Sequence, residues 1–341
     1  MTEHLELPLA VHYSTPHADA IAAFVAAQYG FAQLPAVKFL QRGFNDSFDV
    51  RTATDRYVLR LSGRRKRGEA DVASETAFLD HLHRSGLPIA APVELSDGGL
   101  FTRVLLPDGA KTAVLFRYVD GLEPAHLSTD HARAQGITLA RIHAAATDYA
   151  QWGEGRYRLD LEHLLQGPLS TILSLQLLDA EDEASLSALA SRLSAMVERL
   201  KALTWTRCHG DCHGGNARIA TEGQLAGQAV FFDFDDGGPG YLAYDLAVFL
   251  WSASLQRQGF AVWHAFIDGY RSVRALATID LEAARIFVPI RHFWLMGEYA
   301  GRVVEWGSQA VPKQWLKRQL EFMRAWEEEK LLPDIFNIQP E

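Results

Sequence analysis

The hydrophobic period of this chain changes along its length, and that change limits the folds open to it. Between residues 37 and 119 apolar residues alternate over short runs. "VKFLQRG" (37–43), "FDVRT" (48–52) and "RYVLRLS" (56–62) are separated by turn-forming "FNDS" and "ATD". "AAPVEL" (90–95), "LFTRVLL" (100–106) and "AVLFRYV" (113–119) repeat the pattern after one helical stretch at 69–86. A period of two puts neighbouring side chains on opposite faces of a strand. From about residue 122 the spacing lengthens to that of a helix. Helices are expected at 128–149, opening on Ser128 as a cap with Ala132, Leu139 and His143 on one side, and at 168–178, 183–203, 242–254, 260–276, 281–304 and 312–330. Short strands interrupt at 204–208 and 229–234, and a leading helix at 15–30 stops at Gly30. The expected fold class is α+β: two lobes, a small β-rich N-terminal lobe and a large, mainly helical C-terminal lobe.

At 341 residues the chain is long enough for two lobes. A net charge of −9 argues against nucleic acid as a partner. The N-terminus lacks a basic segment followed by an apolar run, and no apolar stretch reaches membrane-spanning length. No membrane partner is expected, and the expected location is the cytoplasm. Both cysteines, Cys208 and Cys212, fall in one stretch, which is not a disulfide framework.

That stretch, "RCHGDCHGGNARI" (207–219), carries the densest chemistry. Its cysteines and histidines could be read as a zinc cluster, but ligands so close together rarely wrap one tetrahedral ion, and no second pair occurs elsewhere. Asp211 and Asn216, five residues apart on a glycine-broken loop, suit another task. Phosphoryl transfer needs a carboxylate at the acceptor hydroxyl and oxygen ligands for the metal ions at the phosphates. A second acidic site follows a strand: "FFDFDDGGPG", with Asp233 at the strand's end. Asp235 and Asp236 come next, and Asp245 opens an apolar helix.

His209-Gly210-Asp211 with Asn216, then Asp233 before a glycine-rich segment and Asp245-Leu246-Ala247, resemble the aminoglycoside phosphotransferase and choline kinase superfamily, which has a protein-kinase-like fold. The resemblance covers nearly the whole chain. "HGDCHGGN", "DFDD", "AAPV" and the leading helix are most similar to the homoserine kinase and stress-response kinase A group. The resemblance implies ATP and Mg2+ as cofactors, Asp211 as the catalytic base and Asn216 and Asp233 as metal ligands. His209 and Asp245 would brace the loop. It places a phosphate-covering hairpin at "GFNDSFDV" (43–50), with Gly43, Asn45 and Ser47 near the phosphates. The phosphate-binding cation stands at Arg60, where many relatives have lysine, and its helix partner at Glu75. It also implies an N-terminal lobe at 1–115, a hinge at 116–122 and a helical lobe carrying the catalytic and metal sites at 123–341.

The implied activity moves the terminal phosphoryl group of ATP to a hydroxyl of a small acceptor, an amino alcohol or a hydroxy amino acid such as homoserine. Asp235, Arg291 and Glu298 are candidates to hold it. Arg291 and Glu298, on one expected helix, could grip the carboxylate and ammonium of an amino acid or form a surface pair. Two alternatives stay open: a protein Ser/Thr kinase similar to stress-response kinase A, with a protein substrate, and a weakly catalytic nucleotide-binding regulator. "GRRKRGE" (63–69) reads as a solvated loop, with nucleotide or partner contact as the other reading, and His143 as a packing histidine. The tryptophans and Tyr299 of the C-terminal helices read as core, with a quaternary-ammonium box as the other reading. The sequence leaves the oligomeric state open.

Overall fold

The structure, a computed structural model, describes residues 9–63, 67–123, 128–149 and 158–327. It divides into two compact units, Met1–Ala77 with Ala91–Tyr118 and Phe78–Ala90 with Val119–Glu341.

The first unit is built on one antiparallel sheet. Helix α1 (Ala18–Tyr29) ends at Gly30, whose φ of 68° lets its N–H turn back to the Ala26 carbonyl. Strands β1 (Ala36–Arg42), β2 (Asp46–Arg51) and β3 (Arg56–Leu61) follow, then helix α2 (Glu69–Arg84), of which this unit holds the part up to Ala77, β4 (Thr102–Leu106) and β5 (Gly109–Arg117). The order across the sheet is β1-β2-β3-β5-β4. Ile21, Val25 and Tyr29 of α1 share a core with Phe48, Val50, Leu59 and Leu61. Burying each such side chain stabilises the unit by about 1.5–3 kcal/mol. The period of two that turns Leu59 and Leu61 into this core sends Arg60 to the opposite face, where α2 supplies Glu75.

Two expectations are corrected here. Asp46 and Ser47, expected in a turn, already belong to β2 and pair with Arg42 and Gln41. The expected strand at 90–95 is not one: Pro92 makes only an isolated bridge to Phe116. Proline has no N–H with which to continue a ladder.

The second unit is mainly helical. Helix α3 (Thr129–Thr147) is capped by Ser128, whose Oγ accepts the His131 N–H at 3.2 Å. A π-helical turn (Glu162–Gln166) leads into α4 (Gly167–Ser174), and α5 (Ala180–Arg199) follows. Four short strands come next: β6 (Trp205–Cys208), β7 (Ala217–Ile219), β8 (Ala229–Phe231) and β9 (Gly238–Tyr241). They form two antiparallel ribbons, β6 with β9 and β7 with β8. Helices α6 (Leu242–Leu255), α7 (Phe260–Arg271), α8 (Thr278–Ala300), the single turn α9 (Val303–Trp306) and α10 (Lys313–Glu327) complete the unit. Every residue of α6 from Leu242 to Ala253 is buried, as the run "LAYDLAVFLWSA" requires of a helix apolar all round. Among the described residues no helix is long and apolar enough to cross a membrane.

Candidate active site

The loop after β6 hangs from the first turn of α6. Asp245 accepts the backbone N–H of His209 at 2.7 Å and of Gly210 at 2.8 Å. It also accepts from Nε2 of His143 at 3.0 Å, while the other ring nitrogen of His143 lies 2.9 Å from the Tyr270 hydroxyl. Asp245 and His143 have no exposed surface. Burial pushes the Asp245 carboxyl up, but the His143 hydrogen bond, the His143 and His209 charges and the Gly210 amide outweigh it and hold it below the usual carboxylate range. His209 is engaged through both nitrogens: Nε2 donates to the Phe232 carbonyl and Nδ1 accepts the Asp211 N–H. Gly210 has φ of +84°, and a Cβ there would lie 2.1 Å from the carbonyl oxygen of Asp236. No side chain fits where these two loops cross.

Asp211 stands on this loop with both carboxylate oxygens engaged. Oδ2 accepts from Asn216 Nδ2 at 2.9 Å, and the same nitrogen donates to the Asp211 carbonyl. Oδ1 accepts from Nη2 of Arg291, a buried α8 residue, at 2.5 Å. His213 Nε2 lies 3.5 Å from Oδ2. Burial alone would push the Asp211 carboxyl up, but the Arg291 charge, followed by those of His213 and His209, drives it well below the usual range.

Asp233 is exposed just beyond β8, with φ of 64°. A left-handed backbone is uncommon for a residue other than glycine and recurs at functional sites. Asp235 and Asp236 are buried in the short turn that follows, and Glu298 is half-buried on α8. Among the described residues no group of three or more His, Cys, Asp or Glu is placed to hold a metal ion. The thiols of Cys208 and Cys212 are buried, donate to the Tyr241 and Asp245 carbonyls, and are pushed up by desolvation. They are poor zinc ligands. Asn216 and Asp233 offer a different donor set. Asn216 Nδ2 is committed to Asp211, so what it can offer a cation is its amide oxygen. With the Asp233 carboxylate this supplies two hard oxygens, which suits Mg2+, an ion that takes few protein ligands beside phosphate oxygens.

The first unit carries the other predicted group. Arg60 and Glu75 form a bidentate ion pair, Nη1 to Oε1 at 2.9 Å and Nη2 to Oε2 at 2.7 Å, both side chains buried. Arg67 adds a second cation 3.6 Å from Glu75 Oε2. Its side chain is 10% exposed, less than a solvated loop implies, while Gly68 and Glu69 are exposed; residues 64–66 lie outside the described residues. Asn45, in the β1–β2 turn beside Gly43, fixes that turn by accepting the Gly63 N–H at 3.1 Å. Ser47 stands opposite Arg60 in the β2–β3 register.

The sequence profile of the phosphotransferase enzyme family APH matches residues 36–276, most of the chain. The chain belongs to that family. It is an ATP-dependent phosphotransferase. An uncharacterized protein of Deinococcus radiodurans is 37% identical over 91% of this chain and 90% of its own length. A homoserine kinase of Hyphomonas neptunium is 29% identical, covering 80% of this chain and 82% of its own. The fold is shared with an amicoumacin kinase solved in complex with AMP-PNP, Ca2+ and Ami: TM-score 0.77 and 18% identity, with 94% of this chain and 96% of that one covered.

Within this APH-family chain, sequence reasoning missed three contacts. His143 was read as packing, yet it is hydrogen-bonded to Asp245 across 102 residues. Arg67 was read as solvated. Arg291, a candidate for the acceptor or for a surface pair, is buried and touches the Asp211 carboxylate, a contact the sequence did not show. The one available signal was a charged or polar residue on the apolar face of an expected helix, which His143 and Arg291 both show. Of the C-terminal aromatics, Trp294 lies beside a cation that is the chain's own: the Arg291 guanidinium is 4.3 Å from its ring centroid and 5.1 Å from that of Trp251 on α6.

Proposed function

We propose that this protein transfers the terminal phosphoryl group of ATP to the hydroxyl of a small acceptor, an amino alcohol or a hydroxy amino acid such as homoserine. The observation that carries the reading is the Asp211 carboxylate, held beside Asn216 on a loop tied to α6 through Asp245. The acceptor oxygen forms a bond to the terminal phosphorus as the bond to the ADP oxygen breaks, and the hydroxyl proton passes to Asp211. A carboxylate held ionised well below neutral pH orients that hydroxyl, which is what a loose phosphoryl-transfer transition state requires of it. Asn216 and Asp233 would hold Mg2+, which when bound neutralises charge on the phosphates. Arg60, oriented by Glu75, offers a cation to phosphate oxygens. The homoserine kinase relative supports a small acceptor.

An ATP-consumption screen tests this, run with hydroxy amino acids, amino alcohols, aminoglycosides and a generic protein substrate, the product read by phosphorus NMR. A phosphomonoester on a small hydroxyl supports the reading. Label transferred to protein alone would replace it with a protein kinase, and ATP binding without turnover would favour a regulator.

A further inference from the structure

Arg291 is a buried charge of the second unit with one donor left unmatched. It is 2% exposed, so its guanidinium has been taken out of water. Of its three nitrogens, Nη2 donates to Asp211 Oδ1, Nη1 reaches the Tyr244 hydroxyl at a long 3.4 Å, and Nε is buried with no hydrogen-bond partner among the described residues. Trp251 and Trp294 flank the group and offer no acceptor atoms. A buried donor left unmatched is costly and calls for a specific explanation, of which a functional role is one. The Nε and Nη2 edge of a guanidinium is a fork whose spacing matches the two oxygens of a carboxylate.

We propose that Arg291 reads a carboxylate on the acceptor, so that the substrate class is short hydroxy acids, hydroxy amino acids included, rather than amino alcohols. The inference rests on the phosphotransfer reading above. Because Arg291 touches Asp211, an acceptor whose hydroxyl meets Asp211 brings a carboxylate a few bonds away within reach of the same guanidinium. An acceptor bearing only an ammonium would set like charges side by side. When the carboxylate takes over Nη2, Oδ1 of Asp211 is left to accept the hydroxyl proton as the acceptor oxygen bonds to phosphorus and ADP departs. Arg291 is then a specificity residue that also keeps the base occupied until the right acceptor arrives.

The experiment compares three acceptors: homoserine, 4-hydroxybutyrate, which keeps the carboxylate and lacks the ammonium, and 3-aminopropan-1-ol, which keeps the ammonium and lacks the carboxylate. Binding is measured by calorimetry and tryptophan fluorescence, and turnover by ADP release, in wild type, Arg291→Lys and Arg291→Gln. Mg-ATP binding checks that each variant is folded. Wild type is expected to favour both carboxylate acceptors over the amino alcohol by more than about tenfold in affinity and in kcat/KM, the contribution of one charge-assisted hydrogen bond. Arg291→Gln should collapse that ratio towards one, and Arg291→Lys should keep part of it. Equal use of the amino alcohol by wild type, or a preference that survives Arg291→Gln, would overturn the inference while the phosphotransfer reading stood. If none of the three is phosphorylated the proposed acceptor class fails, and calorimetry still decides whether Arg291 binds carboxylates. If Arg291→Gln does not fold, the wild-type comparison and Arg291→Lys remain decisive.

Discussion

Asp245 accepts the backbone amides of both His209 and Gly210, so one carboxylate at the start of α6 sets the conformation of the loop that carries Asp211. Asp245→Asn keeps one acceptor oxygen and turns the other into a donor aimed at an N–H. A buried unsatisfied donor costs about 1–3 kcal/mol, and more where a charged acceptor is lost. Urea unfolding should show a loss of about 2–4 kcal/mol, with a fall in turnover. A variant within about 0.5 kcal/mol of wild type would mean the brace is dispensable.

Asp211→Asn tests the proposed base. The substitution keeps the side chain's shape and removes its charge and its capacity to take a proton. Turnover should fall by about two to four decades. Mg-ATP affinity, followed by calorimetry, should hold. A variant that kept half its activity would remove Asp211 from the reaction.

Arg60 and Glu75 form a two-armed buried pair, so their losses should not add. Either alanine variant leaves a buried charge short of its partner, a change that typically costs about 3–5 kcal/mol. The double variant should be little worse than the worse single one, with a coupling of about 0.5–3 kcal/mol. Arg60→Lys should recover part of the loss, because lysine restores the charge and one arm of the fork. Strict additivity in unfolding and in ATP affinity would show that the two residues act separately.

His292 sets an acid-stability prediction. Burial pushes this histidine down to about 4; the Gln319 hydrogen bond opposes that shift, and the Arg291 charge adds to it. Its proton binds readily in the unfolded chain below the ordinary histidine value of about 6.5 and is refused by the folded one. The contribution to stability is therefore complete above that value and is lost as pH falls towards 4, by about 3 kcal/mol in all. His292→Gln does not titrate, so its unfolding free energy should vary less with pH across that window. Parallel curves for the two proteins would show that His292 titrates normally.

The chain's local structure was legible because its signals are local. Ser128 caps α3, Gly30 stops α1, and the alternation in 56–62 divides β3 between an apolar face and the face that carries Arg60. Strand pairing was less legible. "GPGY" has no apolar alternation, yet β9 forms because β6 lies beside it. The stretch 90–95 has the right residue types, but it contains a proline and no partner completes a ladder.

The sequence by itself determined the family, because His209-Gly210-Asp211 with Asn216, then Asp233 and Asp245, stand in a recognisable order and spacing. It also determined which faces of the helices are apolar. Only the tertiary structure decided what those carboxylates touch. Asp211 meets Arg291 across 80 residues, and Asp245 meets His143 across 102. Hydrophobic periodicity says that a charged residue sits on a buried face, but not which opposite charge will meet it there. That is settled when helices cross and water is expelled, since a group taken out of water is stable only beside the partner the fold brings to it.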